Sequence, residues 1–166
     1  MLLKPDIKLD GITDITVDIL KKYGIEGLLL DVDNTMSTHH GTELVPGLRE
    51  WISLMLESGI KLTVLSNSLK FRIEPFANRI GLPFISTGLK PLPFGFIRGA
   101  RLMKLKRRKV AIAGDQIFTD VLGGNAAGLK TILLTPVKLE TSLRFRIKRK
   151  LERGVYKLYK IKRTEI

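Results

Sequence analysis

Short apolar runs of strand-like composition alternate with amphipathic, helix-like stretches along the first 136 residues, and several runs break off in acidic or hydroxyl residues. That alternation admits few folds. Strands separated by helices are joined by crossovers, so they lie parallel in one sheet with helices on both faces. The expected class is therefore α/β: a Rossmann-like three-layer sandwich around a central parallel sheet.

Apolar spacing predicts a helix over 13–23, capped by Thr13 or Asp14 and closed by Gly24. Residues 27–30 read as a strand buried on both faces, and 36–45 as a loop. A helix over 46–58 opens on Pro46 and ends at Gly59, with Leu48, Trp51, Ile52, Met55 and Leu56 on one face. Strands follow at 60–65, 84–86, 109–113 and 130–134, and helices at 71–80, 94–105 and 119–127. Pro75 falls inside the first of these helices. Gly123 and Gly124 are read as packing residues.

A chain of 166 residues can bury about two-thirds of its unfolded surface. It has no cysteine, which excludes disulfides, thiolate metal sites and a cysteine nucleophile. The first ten residues carry two lysines and two aspartates and do not resemble a secretory signal. The expected location is the cytoplasm. The compositional outlier is charge: 29 Lys and Arg against 16 Asp and Glu, a formal +13, which favours anionic partners.

In open α/β sheets, ligands gather at the carboxyl ends of the strands. Three strands end there in potentially reactive residues. One leads into Asp31-Val32-Asp33-Asn34-Thr35, one into Ser66-Asn67, and one into Gly114-Asp115 with Asp120 beyond; Lys90 lies between. Each has an ordinary explanation alone, as a turn, a cap or a surface charge. Together they make one site of clustered carboxylates, suited to a hard cation such as Mg²⁺. His39 and His40 read as solvated loop residues, with too few partners for a zinc site.

The set resembles the four-motif signature of haloacid dehalogenase (HAD) phosphatases. Asp31 to Thr35 match the Asp-x-Asp-x-Thr motif, Ser66 the second, Lys90 the third, and Gly114, Asp115 and Asp120 the fourth. The strings LLLDVDNT, Lys90-Pro91 and GDQIFTDVLGGNAAG are similar to the YqeG-type branch, relatives of mitochondrial phosphatidylglycerophosphate phosphatase. Ser68 stands where that branch has Asn.

The resemblance implies a phosphomonoesterase. Asp31 would be the nucleophile and form an aspartyl-phosphate, and Asp33 the general acid and base. Mg²⁺ would be held by Asp31, the Asp33 carbonyl and Asp115. Ser66 and Lys90 would bind the phosphoryl group, and Asp120 would orient metal-bound water or Lys90. Asn67, Thr35 and Gly114 would support them. The gaps between motifs are too short for a cap domain, so the site should be open.

Residues 1–136 form the expected catalytic core and 137–166 a basic, helical extension packed on it. From Lys138 onward there are 11 Lys and Arg against 3 Glu, and Gly154 is a candidate break between two short helices. Such a tail packs on the core, lies on an anionic membrane at its inner face, or binds nucleic acid. The implied substrate is a phosphate ester, with phosphatidylglycerophosphate the specific choice and a soluble sugar phosphate or nucleotide the alternative. The rival class is a nucleic-acid or ribosome-binding module with a vestigial site.

Overall fold

The computed structural model describes residues 1–37, 43–137 and 143–161. His39 and His40 lie outside them. The strands are β1 (Ile7–Leu9), β2 (Gly27–Leu30), β3 (Lys61–Leu65), β4 (Phe84–Ile85), β5 (Val110–Gly114) and β6 (Lys130–Leu134). They form one sheet in the order β1-β6-β5-β2-β3-β4, and every pairing is parallel. The described helices are α1 (Val17–Lys22), α2 (Leu48–Glu57), α3 (Lys70–Ile80), α4 (Phe94–Leu102), α5 (Leu122–Ala127) and α6 (Leu143–Leu158).

The central strands read as unbroken apolar runs because both faces are covered. In β2, Leu28 and Leu30 join the core beneath α1, α2 and α3, whereas Leu29 joins the core beneath α4 and α5. β5 divides the same way, with Ala111 and Ala113 on one face and Val110 and Ile112 on the other. These are the three layers expected from sequence. The chain leaves β2 for β3 on one side and later returns to β5 on the other. The carboxyl ends of β2 and β5 thus flank the topological switch point where ligands bind in such sheets.

Among the described residues only α2 separates β2 from β3, and no cap domain interrupts them. Among the described residues, no helix is long and apolar enough to cross a membrane.

Several elements differ from the sequence reading. β1 is absent from that reading, because three residues with Lys8 in the middle give no periodic signal. Ile7 and Leu9 are nevertheless buried, paired with Ile132 and Leu134. The helix expected over 13–23 is a 3₁₀ turn (Ile12–Asp14) followed by α1. Its cap is Thr16, whose Oγ1 accepts the Ile19 N–H at 3.2 Å; Asp14 instead accepts the Gly11 N–H at 3.0 Å. α4 stops at Leu102, three residues early. The helix expected over 119–127 begins as a π turn (Ile117–Val121) before α5.

Gly123 and Gly124 do serve packing. A Cβ would lie 2.4 Å from the Phe96 ring at one and 2.4 Å from Ile112 Cγ2 at the other. α6 runs unbroken through Gly154, so the expected division into two helices is not found. Val155 and Tyr156 pack against Ile117, Val121 and Leu133. Buried Glu152 accepts the Ile117 N–H at 3.0 Å.

Candidate active site

Asp31 follows β2 directly, its N–H still in the ladder and donating to the Ala113 carbonyl at 3.0 Å. The chain then turns sharply. The Val32 carbonyl accepts the N–H groups of Thr35, Met36 and Ser37, and Asn34 takes a positive φ of 59°. Asparagine tolerates that conformation better than most residues. Thr35 is buried, and its Oγ1 has no hydrogen-bond partner among the described residues.

Lys90 reaches in from the β4–α4 connection. Its Nζ donates to Asp31 Oδ1 at 2.6 Å and to Asp120 Oδ1 at 2.7 Å. All three side chains are buried. Asn67 holds the backbone of Lys90 from both sides: Oδ1 accepts its N–H at 2.7 Å and Nδ2 donates to its carbonyl at 2.9 Å. Ser66, at the end of β3, is buried, and its Oγ accepts the Ser68 N–H at 3.1 Å.

Asp120 sits on the π turn, a distortion frequent at functional sites. Its Oδ2 accepts the Gln116 N–H at 3.2 Å. Gly114 leaves the room that this requires. A Cβ there would lie 2.3 Å from Asp120 Oδ2 and 2.4 Å from its Cγ, so the glycine of the Gly-Asp pair makes space for the second aspartate.

Asp31, Asp115 and Asp120 each offer a carboxylate oxygen within 4.8 Å of the others, and all three residues are buried. Three buried carboxyls thus share one cluster with the Lys90 ammonium. An all-oxygen donor set with surplus negative charge fits a hard divalent cation. Burial pushes the Asp31 carboxyl up to about 7; Lys90 pulls the other way, while Asp120 and Asp115 add to the rise. Burial also works against the Lys90 ammonium, but Asp120 and Asp31 outweigh it and raise its pKa. Two carboxylate oxygens touch the Lys90 nitrogen directly.

The side chain of Asp33 lies apart from this cluster. Arg72, in the first turn of α3, reaches both Asp33 oxygens through Nη2 at 2.8 and 3.1 Å. Its Nη1 donates to Ser68 Oγ at 3.0 Å. Neither Arg72 nor Gln116 was a candidate from sequence. Motif order gives no reason to couple an arginine to an aspartate 39 residues away. Beside the pair is a cavity of about 190 Å³ lined by Val32, Asp33, Arg72, Ile73, Phe76 and Arg79, among others.

A family model for haloacid dehalogenase-like hydrolases matches residues 7–128. "Probable phosphatase YqeG" of Bacillus subtilis (strain 168) is 38% identical over 158 residues, covering 95% of this chain and 92% of that protein. Phosphatidylglycerophosphate phosphatase 1, chloroplastic/mitochondrial, of Arabidopsis thaliana is 25% identical over 143 residues, covering 80% of this chain and 41% of that protein. Among solved structures, an uncharacterized protein from Listeria monocytogenes serotype 4b aligns with a TM-score of 0.56 at 13% identity, over 82% of this chain and 100% of that one. The cobalt-bound deoxy-D-mannose-octulosonate 8-phosphate phosphatase of Haemophilus influenzae aligns at 0.53 and 13%, over 82% and 90%. At those identities the structures speak for the fold alone. The family model and the Bacillus relative go further: the chain belongs to the haloacid dehalogenase-like hydrolases and is a phosphatase acting on phosphate esters.

Proposed function

We propose that the chain is a magnesium-dependent phosphomonoesterase that passes the phosphoryl group through Asp31 to water, and that its substrate is phosphatidylglycerophosphate. One observation carries the reading. Lys90 bridges Asp31 and Asp120 inside a cluster of three buried carboxylates at the switch point of the sheet.

In this reading a carboxylate oxygen of Asp31 attacks phosphorus. The bond from phosphorus to the ester oxygen breaks, and Asp33 gives the departing alkoxide a proton. Asp33 then takes a proton from water as that water attacks the aspartyl-phosphate. The bond from phosphorus to Asp31 breaks, restoring the carboxylate and releasing inorganic phosphate. Ser66 Oγ already accepts from Ser68, so its O–H is left to donate to a phosphoryl oxygen. Lys90 supplies positive charge to the same group. Asp120, anchored by Gln116, orients Lys90. Asn67 fixes the backbone of Lys90, Gly114 admits Asp120, and Thr35 closes the turn that presents Asp31. Mg²⁺, held by Asp31, Asp115 and the Asp33 carbonyl, would offset negative charge on the transferring group.

Three features support the lipid substrate. The similar Arabidopsis protein is a phosphatidylglycerophosphate phosphatase. No cap covers the described site. The cavity beside Asp33, where the leaving alcohol would emerge, combines Arg72 and Arg79 with apolar Val32, Ile73 and Phe76. That lining suits an anionic headgroup joined to apolar chains. Residues 1–136 would carry the chemistry, with 137–166 as an extension.

The test is hydrolysis of p-nitrophenyl phosphate and of phosphatidylglycerophosphate in detergent micelles, with and without Mg²⁺, by wild type and Asp31→Asn. Magnesium-dependent turnover, faster on the lipid and lost in the variant, is expected. Turnover surviving in Asp31→Asn would refute the nucleophile. Preference for a soluble sugar phosphate would refute the substrate alone.

A further inference from the structure

The two connections beside the site carry apolar side chains for which the chemistry has no use. Leu69 and Phe71 lie where β3 runs into α3, and Leu89, Leu92 and Phe94 where β4 runs into α4. All five are 51–76% exposed. The connections are stitched together. Thr87 N–H donates to the Ser68 carbonyl at 2.9 Å, and Gly88 N–H to the Ser66 carbonyl at 2.8 Å. The Asn67 amide clasps Lys90 from both sides. The five side chains therefore sit on two neighbouring connections at the carboxyl edge of β3 and β4, and together they make up an apolar patch. Leu89 and Leu92 bracket Lys90, whose ammonium touches Asp31.

Leu89 also takes a positive φ of 54°, an uncommon conformation for a branched side chain. The same leucine is more than half exposed.

Exposed cations adjoin the patch on α4. Phe94, Arg98 and Arg101 fall four and three residues apart on α4, hence on one face, and all three are exposed. Exposed apolar patches beside charged residues mark interaction surfaces. Leucine and phenylalanine among basic residues form the pattern that enters an anionic lipid interface, the apolar groups among acyl chains and the cations among headgroups.

We propose that this patch docks the enzyme on an anionic lipid bilayer with the mouth of the site turned toward the headgroups. It differs from the basic tail, the part of the chain that composition suggests for such a role. α6 spends Val155 and Tyr156 on the core, whereas the patch is open. The docking adds to the proposed lipid substrate, but its measurement does not depend on turnover.

The experiment is flotation of the full chain with phosphatidylcholine vesicles, with and without phosphatidylglycerol, at low and high salt. Wild type should bind the phosphatidylglycerol vesicles, and Phe71→Ser/Phe94→Ser and Arg98→Glu/Arg101→Glu should each weaken binding at least roughly tenfold. A second measurement locates the contact directly. The native Trp51 is buried, so Phe94→Trp should report quenching by brominated lipid. Binding that survives both double variants, or a Trp at 94 that brominated lipid leaves bright, would overturn the proposal. So would a wild-type dimer that Phe71→Ser/Phe94→Ser converts to monomer, since the patch would then join two copies of the chain. Asp31→Asn should float like wild type, so failure of docking and failure of the nucleophile register separately.

Discussion

Arg72 Nη2 lies 2.8 and 3.1 Å from the two carboxylate oxygens of Asp33, so the proposed acid and base is held by a cation from another element. The Arg72 side chain is 36% exposed and that of Asp33 22%. A pair so open to solvent is worth at most about 1 kcal/mol. It can orient Asp33 at rest and still yield when a leaving group arrives.

Arg72→Ala should therefore cost activity rather than stability. The expected loss in kcat is roughly tenfold to a hundredfold, at the low end of what a positioned acid–base group contributes. Arg72→Lys should recover part of it, because an ammonium reaches Asp33 as a point charge without the contact to Ser68. Steady-state kinetics with thermal melts check this. An unchanged kcat in Arg72→Ala would remove Arg72 from the site.

Gly114→Ala should damage fold and site together. Its Cβ would fall 2.3 Å from Asp120 Oδ2, and overpacking of this kind costs about 1–3 kcal/mol. Asp120 must move, and with it one of the two oxygens that hold Lys90. Urea denaturation should show the loss, and phosphatase assays a matching fall. A variant as stable and as active as wild type would contradict the geometry.

Asp31 makes a prediction about pH. Its folded pKa, near 7, lies above the ordinary 3.8. In the metal-free protein the native state then holds a proton that the unfolded state has released. Stability falls as pH rises through that window and levels off above it. Asp31→Asn lacks this penalty. Its melting temperature relative to wild type should climb between pH 4 and pH 7 in the presence of a chelator, then stay flat. A constant difference across the range would mean that Asp31 is not raised.

A bound divalent cation should stabilise the same cluster by mass action. With Mg²⁺ at about a hundred times its dissociation constant, wild type should melt roughly 5–10 °C higher. Asp115→Asn should lose most of that gain while folding normally. Equal shifts in both proteins would remove Asp115 from the metal site.

Much of this architecture is legible in the chain before folding, for physical reasons that differ by element. β2 and β6 carry the boundaries expected of them, because strands covered on both faces read as unbroken apolar runs between polar or glycine stops. β1 is lost, since pairing with β6 rather than composition makes Ile7–Leu9 a strand. Asp31, Lys90, Asp115 and Asp120 stand out because each follows or neighbours a strand end in a fixed order. Arg72 has no such mark. Its partner is set by where the first turn of α3 lies against the Asp33 turn, which no local pattern encodes. The exposed leucines and phenylalanines were invisible for a related reason: composition records that they are apolar but not which side faces out.

The central claim is that Asp31 carries the phosphoryl group, and borohydride trapping tests it most directly. Wild type turning over substrate with Mg²⁺ is quenched into borohydride, which reduces an aspartyl-phosphate to homoserine, and the peptide containing residue 31 is weighed. Homoserine at position 31, absent without substrate and absent without Mg²⁺, is the predicted result. An unmodified Asp31 during rapid turnover, or the label on another residue, would contradict the account.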